Sequence, residues 1–280
     1  MRVTIFGASG FIGRHLSAAL RSRGDEVITA SLRDPAAAAA ACAGSTAVVN
    51  LAGAPVSDRW TGARKREIER SRVDLPRAFI DALERIDDRP GQYVSASAIG
   101  YYGTSTSATF TESSPPGQGF LAQVCVGWEA EAQRARALGL RVAVVRTGLV
   151  LGADGGALAK LLPLFKLGLG GVVASGQQWY SWIHIADIVG VYLRALGGFD
   201  GALNATAPNP VRNRAFTAAL AAAVHRPAFL PAPAFAIELM LGEAATIVTE
   251  GQRVLPEATL ASGFAFKYPE IGPALEAIVS

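Results

Sequence analysis

Cysteine is scarce in this sequence, and neither sign of charge dominates it. Only two of the 280 residues are Cys, namely Cys42 and Cys125. Two cysteines are too few for a disulfide framework or a cysteine-rich metal site, so no metal is expected and a reduced, cytoplasmic setting fits. The chain carries 26 Lys and Arg against 23 Asp and Glu, a mild excess that points to no acidic partner.

Long apolar runs and continuous basic stripes are also missing. No stretch approaches about 18–20 apolar residues without a charge, so no membrane-spanning helix is expected. The densest basic segment, at 63–72, is interrupted by Glu67 and Glu69 and fits a solvated helix face better than a nucleic-acid surface. A strand pattern begins at residue 2, which leaves no room for a signal peptide and favours a cytoplasmic location. The predicted partners therefore exclude membranes and nucleic acid.

Apolar runs of strand length alternate with helical patterns through the first half of the chain. The predicted strands lie at 2–6, 26–32, 46–51, 92–97 and 140–146, and the predicted helices follow residue 13 and cover roughly 61–87 and 118–138. Half of the residues are apolar, enough for a sizeable core. Buried strands that alternate with helices indicate a parallel sheet with right-handed crossovers. A run of alanines at 36–41 predicts a further, surface helix.

A glycine-rich loop directly joins the first strand to the first helix. Gly7 permits a tight turn, Gly10 lets the backbone approach a pyrophosphate, and Gly13 lets the helix pack closely on the sheet. The free N–H groups of the helix N-terminus then face the phosphates. This context indicates dinucleotide binding, with a purely structural turn as the alternative. The predicted loop contacts are Gly7, Ser9, Gly10, Phe11, Ile12 and Gly13.

The ends of the next two strands bear on the choice of cofactor. The second strand ends in SLRDP, where the Arg33 guanidinium suits a 2′-phosphate and favours NADP. Asp34 leaves NAD open, because its carboxylate could bind ribose hydroxyls instead. Leu51, Ala52 and Gly53 end the third strand and are predicted to lie against the cofactor, with a plain strand end as the alternative.

Beyond residue 151 the sequence pattern changes and predicts Gly-rich loops, Pro-rich turns and short helices. We predict an α/β fold, with a Rossmann-type doubly wound parallel sheet and a smaller C-terminal substrate lobe. Residues 1–151 would form the NAD(P)-binding domain. Residues 152–280 would add strands that return to the sheet and a mostly helical lobe, with a ligand cleft between the two.

Several motifs carry a resemblance to a known family over essentially the whole chain. They are NLAGAPV, SAIGYYG, VCVGWE, RTGLVLG, SWIHIADI, NATAPNPV, TEGQRVLP and GFAFKYP. The chain resembles the extended short-chain dehydrogenase/reductase superfamily, and within it the atypical epimerase family proteins (YfcH-like, sugar-nucleotide epimerase-like). The resemblance implies an NADP-type cofactor contacted by Glu67 and Arg72, with Val150 near the nicotinamide end. A solvated helix pair is the alternative for Glu67 and Arg72. Pairing of helices 61–87 and 118–138 in a homodimer is also implied.

The catalytic pair that the resemblance would imply is missing. The superfamily places Ser or Thr after the fourth strand and Tyr-x-x-x-Lys on the next helix. Ser97 matches the first, but Leu121 and Cys125 stand at the Tyr and Lys positions, and residues 118–128 contain neither Tyr nor Lys. Cys125 is interpreted as a small core residue, with a chemical role as the alternative. Tyr101 is the candidate replacement acid, or else a pocket-lining residue.

Other polar and aromatic residues have mainly structural interpretations. Asp187 is interpreted as a helix N-cap. His184 is interpreted as a partner of nearby backbone, with a base as the alternative. Lys160 is expected to be solvated, with an approach to the cleft as the alternative. Pocket-lining or core roles are equally open for Gln178, Trp179, Tyr180, Trp182 and Asn204.

Two functions remain open at this level. One is an NADP-dependent epimerase or oxidoreductase that acts on a small polar molecule such as a sugar nucleotide, with Ser97 and Tyr101 as catalytic residues. The other is a non-catalytic NADP(H)-binding redox sensor or partner-binding module.

Overall fold

The computed structural model describes residues 1–280. Its strands are β1 (Arg2–Phe6), β2 (Glu26–Ala30), β3 (Ala47–Asn50), β4 (Gln92–Ala98), β5 (Thr109–Phe110), β6 (Arg141–Thr147), β7 (Leu149–Leu151), β8 (Trp179–Tyr180), β9 (Trp182–His184), β10 (Gly201–Ala205), β11 (Val211–Arg212) and β12 (Arg253–Val254). Its α-helices are α1 (Phe11–Ser22), α2 (Pro35–Ala41), α3 (Gly62–Glu69), α4 (Leu75–Leu83), α5 (Phe120–Gln133), α6 (Gly156–Lys166), α7 (Ile185–Leu196), α8 (Asn213–Ala223), α9 (Ala234–Leu241), α10 (Thr246–Thr249), α11 (Glu257–Ala261) and α12 (Ile271–Val279). None of the helices has both the length and the apolar character required to cross a bilayer.

Six strands form the central sheet, in the order β10-β6-β4-β3-β1-β2. Every neighbouring pair runs parallel, so the predicted Rossmann-type α/β fold is confirmed. Val3 of β1 pairs with Val27 on one side and with Ala47 on the other, so the strand order reverses between β1 and β3. In open parallel sheets the ligand crevice lies outside the carboxyl ends of the strands at such a switch point.

Helices cover both faces of the sheet. On one face α1 and α7 pack side chains such as Leu16 and Ile188 against the strands. On the other face α2, α4 and α5 contribute Ala38, Phe79 and Ala132 to a second core. Each large apolar side chain buried here contributes about 1.5–3 kcal/mol. This packing fixes the sheet edge that carries the glycine loop.

The segment after residue 151 builds a third core beside the sheet. Leu158, Trp182 and Phe216 meet there, each at most 2% exposed, so Trp182 takes the core role rather than the pocket role. Two later elements return to the main sheet, because α7 covers one face and β10 pairs with β6. The domain boundary itself stays a prediction.

The helix predicted at 61–87 is interrupted. A π-helical turn at Arg70–Asp74 separates α3 from α4. Pro76 explains the break, because it has no N–H to donate to the carbonyl of Arg72 four residues earlier, and its ring crowds that carbonyl. As a result the side chain of Arg72 is turned toward the sheet, where a Cβ on Gly53 would lie 2.9 Å from its Cζ.

The alanine run forms α2, as predicted, but not a purely surface helix. Ala38 and Ala39 are each 1% exposed and belong to the second core. Because each of these side chains is a single methyl group, α2 can pack closely against α4. The two alanines are therefore buried and not exposed to solvent. The surface assignment was wrong there.

Candidate functional site

The loop between β1 and α1 accepts only glycine at two of its positions. Gly7 has φ 79°, and a Cβ there would lie 2.9 Å from the carbonyl carbon and oxygen of Leu51. A Cβ on Gly13 would lie 2.2 Å from the carbonyl oxygen of Gly7. Any larger side chain would therefore push apart the turn, the helix and the end of β3. The loop lies directly against the switch point.

The start of α1 presents backbone donors with no side-chain cap. Gly10 is the N-cap residue, and its carbonyl accepts the N–H of Arg14 at 2.9 Å. The N–H groups of the first turn point outward from the helix end, which carries a partial positive charge and can hold a phosphate. The side chain of Phe11 has a structural task, since Cβ atoms on Gly152 and Gly155 would lie 2.7 and 2.4 Å from its ring. Ser9 is exposed and Ile12 packs against the main core.

The end of β2 separates the roles of Arg33 and Asp34. Asp34 is the N-cap of α2, and its Oδ1 accepts the N–H of Ala37 at 3.0 Å. Arg33 is exposed, and its backbone N–H donates to the Oγ of Ser31 at 3.3 Å, while its guanidinium makes no ion pair within the protein. The carboxylate is thus occupied by the helix and the guanidinium is free for a ligand.

The end of β3 is held by a buried amide. Asn50 is fully buried, and its Oδ1 accepts the N–H of Ala52 at 3.1 Å while its Nδ2 donates to the hydroxyl of Tyr93 at 3.0 Å. These bonds fix the turn through Leu51 and Gly53 at the crevice. The absence of a side chain on Gly53 leaves room for the guanidinium that packs against it.

That guanidinium belongs to Arg72 and has no carboxylate partner. Its Nη1 makes two long hydrogen bonds, both 3.4 Å, to the carbonyl of Ile68 and the Oγ of Ser71. Its Cζ lies 5.1 Å from the ring centroid of Trp128. Burial lowers the pKa of Arg72, as expected for a cation removed from water without a counterion. Glu67 differs, because it is exposed on α3 and pairs with Arg64 at 2.6 Å.

A buried ion pair occupies the carboxyl end of β4 and β6. Arg146 donates from Nε and Nη2 to the two carboxylate oxygens of Glu129, at 2.9 and 2.8 Å. Ser97 donates its hydroxyl to the same carboxylate at 2.7 Å and is 2% exposed. Burial opposes the charge on Arg146, but the hydrogen bonds and charge of Glu129 outweigh it and raise the Arg146 pKa. The hydroxyl proton of Ser97 is therefore already engaged in a hydrogen bond to Glu129.

The two tyrosines after β4 lie on this ion pair in different ways. The Arg146 Cζ lies 3.6 Å from the ring centroid of Tyr101, which fixes the ring by cation–π contact. Tyr102 is buried, accepts from Arg146 Nη1 at 2.9 Å and donates to Oδ1 of Asn204 at 2.7 Å. Asn204 is fully buried, so its structural role and that of Tyr102 are evident. Tyr101 is half-buried, and its hydroxyl makes no hydrogen bond within the protein.

Leu121 and Cys125 both face the turn after β4. A Cβ on Gly100 would lie 3.3 Å from Cβ of Leu121 and 3.9 Å from Sγ of Cys125. Burial, followed by the charge of Glu129, raises the pKa of the Cys125 thiol to about 11. This thiol is therefore neutral at physiological pH and is no substitute for a cation.

The start of α7 corrects one assignment. His184, not Asp187, is the N-cap, because its Nδ1 accepts the N–H of Ala186 at 3.0 Å. The N-cap prediction for Asp187 was wrong, since the helix already begins at residue 185. Asp187 instead accepts the N–H groups of Lys267 and Tyr268, at 2.7 and 2.9 Å, and so anchors the C-terminal segment. His184 bonds nearby backbone as predicted.

Among the remaining candidates, Trp179 packs against two arginine side chains, an arrangement that the sequence did not predict. The Cζ atoms of Arg212 and Arg253 lie 3.9 and 5.4 Å from its ring. Gln178 is 3% exposed and donates to two backbone carbonyls, which makes it structural. Val150 lies in β7 opposite Ile183 and packs against the main core. No sequence signal linked Trp179 to Arg212 and Arg253, because these residues are far apart along the chain.

The fold and the loop together define a Rossmann-type protein of the dinucleotide-binding class, built around the β1/β3 switch point. Residues 3–206 match the model of the NAD dependent epimerase/dehydratase family, and the chain belongs to that family. Residues 232–278 match a domain of unknown function, DUF1731.

Relatives and solved structures cover the whole chain. The epimerase family protein SDR39U1 homolog, chloroplastic, of Arabidopsis thaliana is 42% identical over 302 residues, covering all of this chain and 87% of the relative. A crystal structure of human epimerase family protein SDR39U1 (isoform 2) with NADPH has a TM-score of 0.92 and 35% identity, covering 100% and 99% of the two chains. A nucleoside-diphosphate sugar epimerase from Corynebacterium glutamicum has a TM-score of 0.81 and 31% identity, and this chain covers 58% of it.

Proposed function

We propose that this chain binds NADP(H) at the β1/β3 switch point and acts as an epimerase or oxidoreductase on a small polar substrate of the sugar-nucleotide type. The choice of NADP(H) rests on the different environments of the two charged residues that follow β2. Asp34 caps α2 through Oδ1, whereas the Arg33 guanidinium is unpaired and suits a 2′-phosphate. The human relative crystallised with NADPH supports the same choice.

The residues present fit such a cofactor. A Cβ on Gly13 would clash with the backbone of Gly7 and Ala8, so glycine there lets α1 begin directly against the turn. The uncapped N–H groups at the start of α1 are available for the pyrophosphate. The proposed contacts are Gly7, Ser9, Gly10, Phe11, Ile12, Gly13, Arg33, Leu51, Ala52, Gly53, Glu67, Arg72 and Val150. When bound, the nicotinamide ring supplies hydride transfer, and the protein supplies orientation and proton movement.

Ser97 would hold a substrate hydroxyl rather than a carbonyl. Its proton is donated to Glu129 at 2.7 Å, so its free lone pairs can only accept a hydrogen bond. Glu129 is itself held by Arg146, which fixes the direction of those lone pairs. An alcohol O–H of a sugar is the matching donor.

Tyr101 would exchange the proton with the substrate. Its hydroxyl is unpaired within the protein, and its ring is fixed by the Arg146 guanidinium 3.6 Å away. Both features suit a proton carrier whose partner arrives with the ligand. The substrate would lie between Ser97, Tyr101 and the 175–205 segment. The C. glutamicum sugar-nucleotide epimerase supports that substrate class.

A second function has its own supporting observation. Leu121 carries no ionisable group, and the pKa of Cys125 is raised to about 11 by burial, so the pair cannot relay a proton in the usual way. A protein that binds NADP(H) without turnover, as a redox sensor or partner-binding module, is the alternative function.

One experiment separates these functions. The protein is incubated with NADP⁺ and nucleotide sugars, and separately with NADPH and small carbonyl compounds. Cofactor absorbance reports net oxidation or reduction, and chromatography of each nucleotide sugar reports conversion into its epimer. Enzyme activity predicts turnover that is lost in Ser97→Ala and Tyr101→Phe. Ser95→Ala is the matched control, because that hydroxyl donates to the carbonyl of Ala96 and not to the site. Tight NADPH binding without turnover on any substrate would favour the sensor, and no binding at all would reject both.

A further inference from the structure

Two guanidinium groups at the crevice have no carboxylate partner, and that of Arg33 is exposed whereas that of Arg72 is partly buried. No carboxylate lies within ion-pair distance of the guanidinium, and its hydrogen bonds to Ile68 and Ser71 are both 3.4 Å. An unbalanced, partly desolvated cation destabilises a fold unless something else uses it. In this chain the π-helical turn that places it, at Arg70–Asp74, is itself a feature that clusters at functional sites.

Arg72 and Arg33 lie on opposite sides of β1, because β3 and β2 are the two neighbours of β1 in the sheet. Arg33 follows β2, at one end of the sheet, whereas Arg72 lies between the end of β3 and helix α5. It contacts the Gly53 position and faces the ring of Trp128 at 5.1 Å. The neighbouring thiol of Cys125 is neutral and leaves the charge uncompensated. If Arg33 receives the adenosine phosphate, Arg72 lies toward the half of the cofactor that carries the nicotinamide.

We propose that Arg72 makes this protein selective for the reduced cofactor, because its uncompensated positive charge disfavours the positively charged ring of NADP⁺ relative to the neutral ring of NADPH. This inference rests on the proposed function, since it requires NADP(H) in the crevice. It assigns Arg72 a role beyond simple attachment, which would strengthen binding of both redox forms equally. Two unit charges several Å apart at a protein-like dielectric correspond to roughly 10- to 30-fold in affinity.

The test is calorimetric titration of the purified full chain with NADPH and with NADP⁺. We expect wild type to bind NADPH about 10- to 30-fold more tightly. Arg72→Gln keeps a hydrogen-bond donor but no charge, and should bring the two dissociation constants close together. Arg72→Lys keeps the charge and should keep the preference. Arg70→Met is the matched control, because Arg70 lies exposed in the same π-helical turn and makes no ion pair.

Each outcome is decisive. Equal affinity of wild type for the two redox forms would overturn the inference while leaving cofactor binding intact. A preference that survives in Arg72→Gln, with both affinities reduced in parallel, would show that Arg72 only attaches the cofactor. No binding of either form by wild type would reject the proposed function itself. Titration with 2′,5′-ADP adds a second readout, since its affinity should be unchanged in Arg72→Gln and reduced by loss of Arg33.

Discussion

Replacing Glu129 by Ala removes the carboxylate that holds Ser97 and Arg146 together. Three hydrogen bonds disappear, at 2.7 Å from Ser97 and at 2.9 and 2.8 Å from Arg146. The Arg146 side chain is only 6% exposed, so water cannot replace them fully. It keeps its bonds to Tyr102 and to the carbonyl of Glu112, neither of which carries a charge.

The size of the effect follows from this burial. Removing one partner of a buried ion pair costs about 3–5 kcal/mol, because the other charge is left uncompensated. A typical domain has a free energy of unfolding of about 5–15 kcal/mol, so the loss should be a large fraction of the total. The double variant Glu129→Met with Arg146→Met should recover part of it, since no buried charge then remains.

Urea denaturation followed by circular dichroism measures these changes. The control is Glu67→Ala, because Glu67 pairs with Arg64 on the surface and its side chain is 57% exposed. That pair should contribute less than about 1 kcal/mol. A loss for Glu129→Ala as small as the control would refute the assignment of a buried, structure-bearing ion pair at this site.

Three further predictions concern other parts of the molecule. Burial lowers the pKa of His184 to about 4, whereas an unfolded His titrates near about 6.5. The contribution of His184 to the free energy of unfolding should therefore be fully present above about pH 6.5 and should fall by about 2 kcal/mol by pH 5. In urea melts at several pH values, His184→Asn should remove this pH dependence and His225→Asn should keep it. Gly13→Ala places a Cβ 2.2 Å from the Gly7 carbonyl oxygen, so it should cost about 1–3 kcal/mol in thermal melts and weaken NADPH binding in titrations. Asp187→Ala loses two charge-assisted hydrogen bonds, so it should cost about 1.5–3 kcal/mol and speed proteolysis of the C-terminal segment, measured by limited trypsin digestion.

The sheet and the glycine loop could be predicted because their signals are local. Alternating buried strands and helices specify a parallel sheet wherever they occur, and the spacing of Gly7, Gly10 and Gly13 reflects contacts within a few residues. The same reasoning placed Arg33 at the end of β2. Only the structure showed that Asp34 caps α2 and is therefore withdrawn from the ligand.

The polar network at the end of β4 could not be predicted, because its members are distant in sequence. Glu129 and Arg146 are brought together only when α5 packs beside β6. Pro76 inside the predicted helix at 61–87 signals a break, but it does not specify a π-helical turn or the contact of Arg72 with Gly53. That His184 rather than Asp187 caps α7 reflects the limited accuracy with which a helix start is read from sequence.

The most direct test of the account is calorimetric titration of the protein with NADPH and NADH. Wild type should prefer NADPH. Arg33→Ser should reduce NADPH affinity by roughly 10- to 100-fold, the size of a lost charge-assisted hydrogen bond, while NADH binding changes little. Absence of heat with both coenzymes, or a preference for NADH that persists in Arg33→Ser, would contradict it.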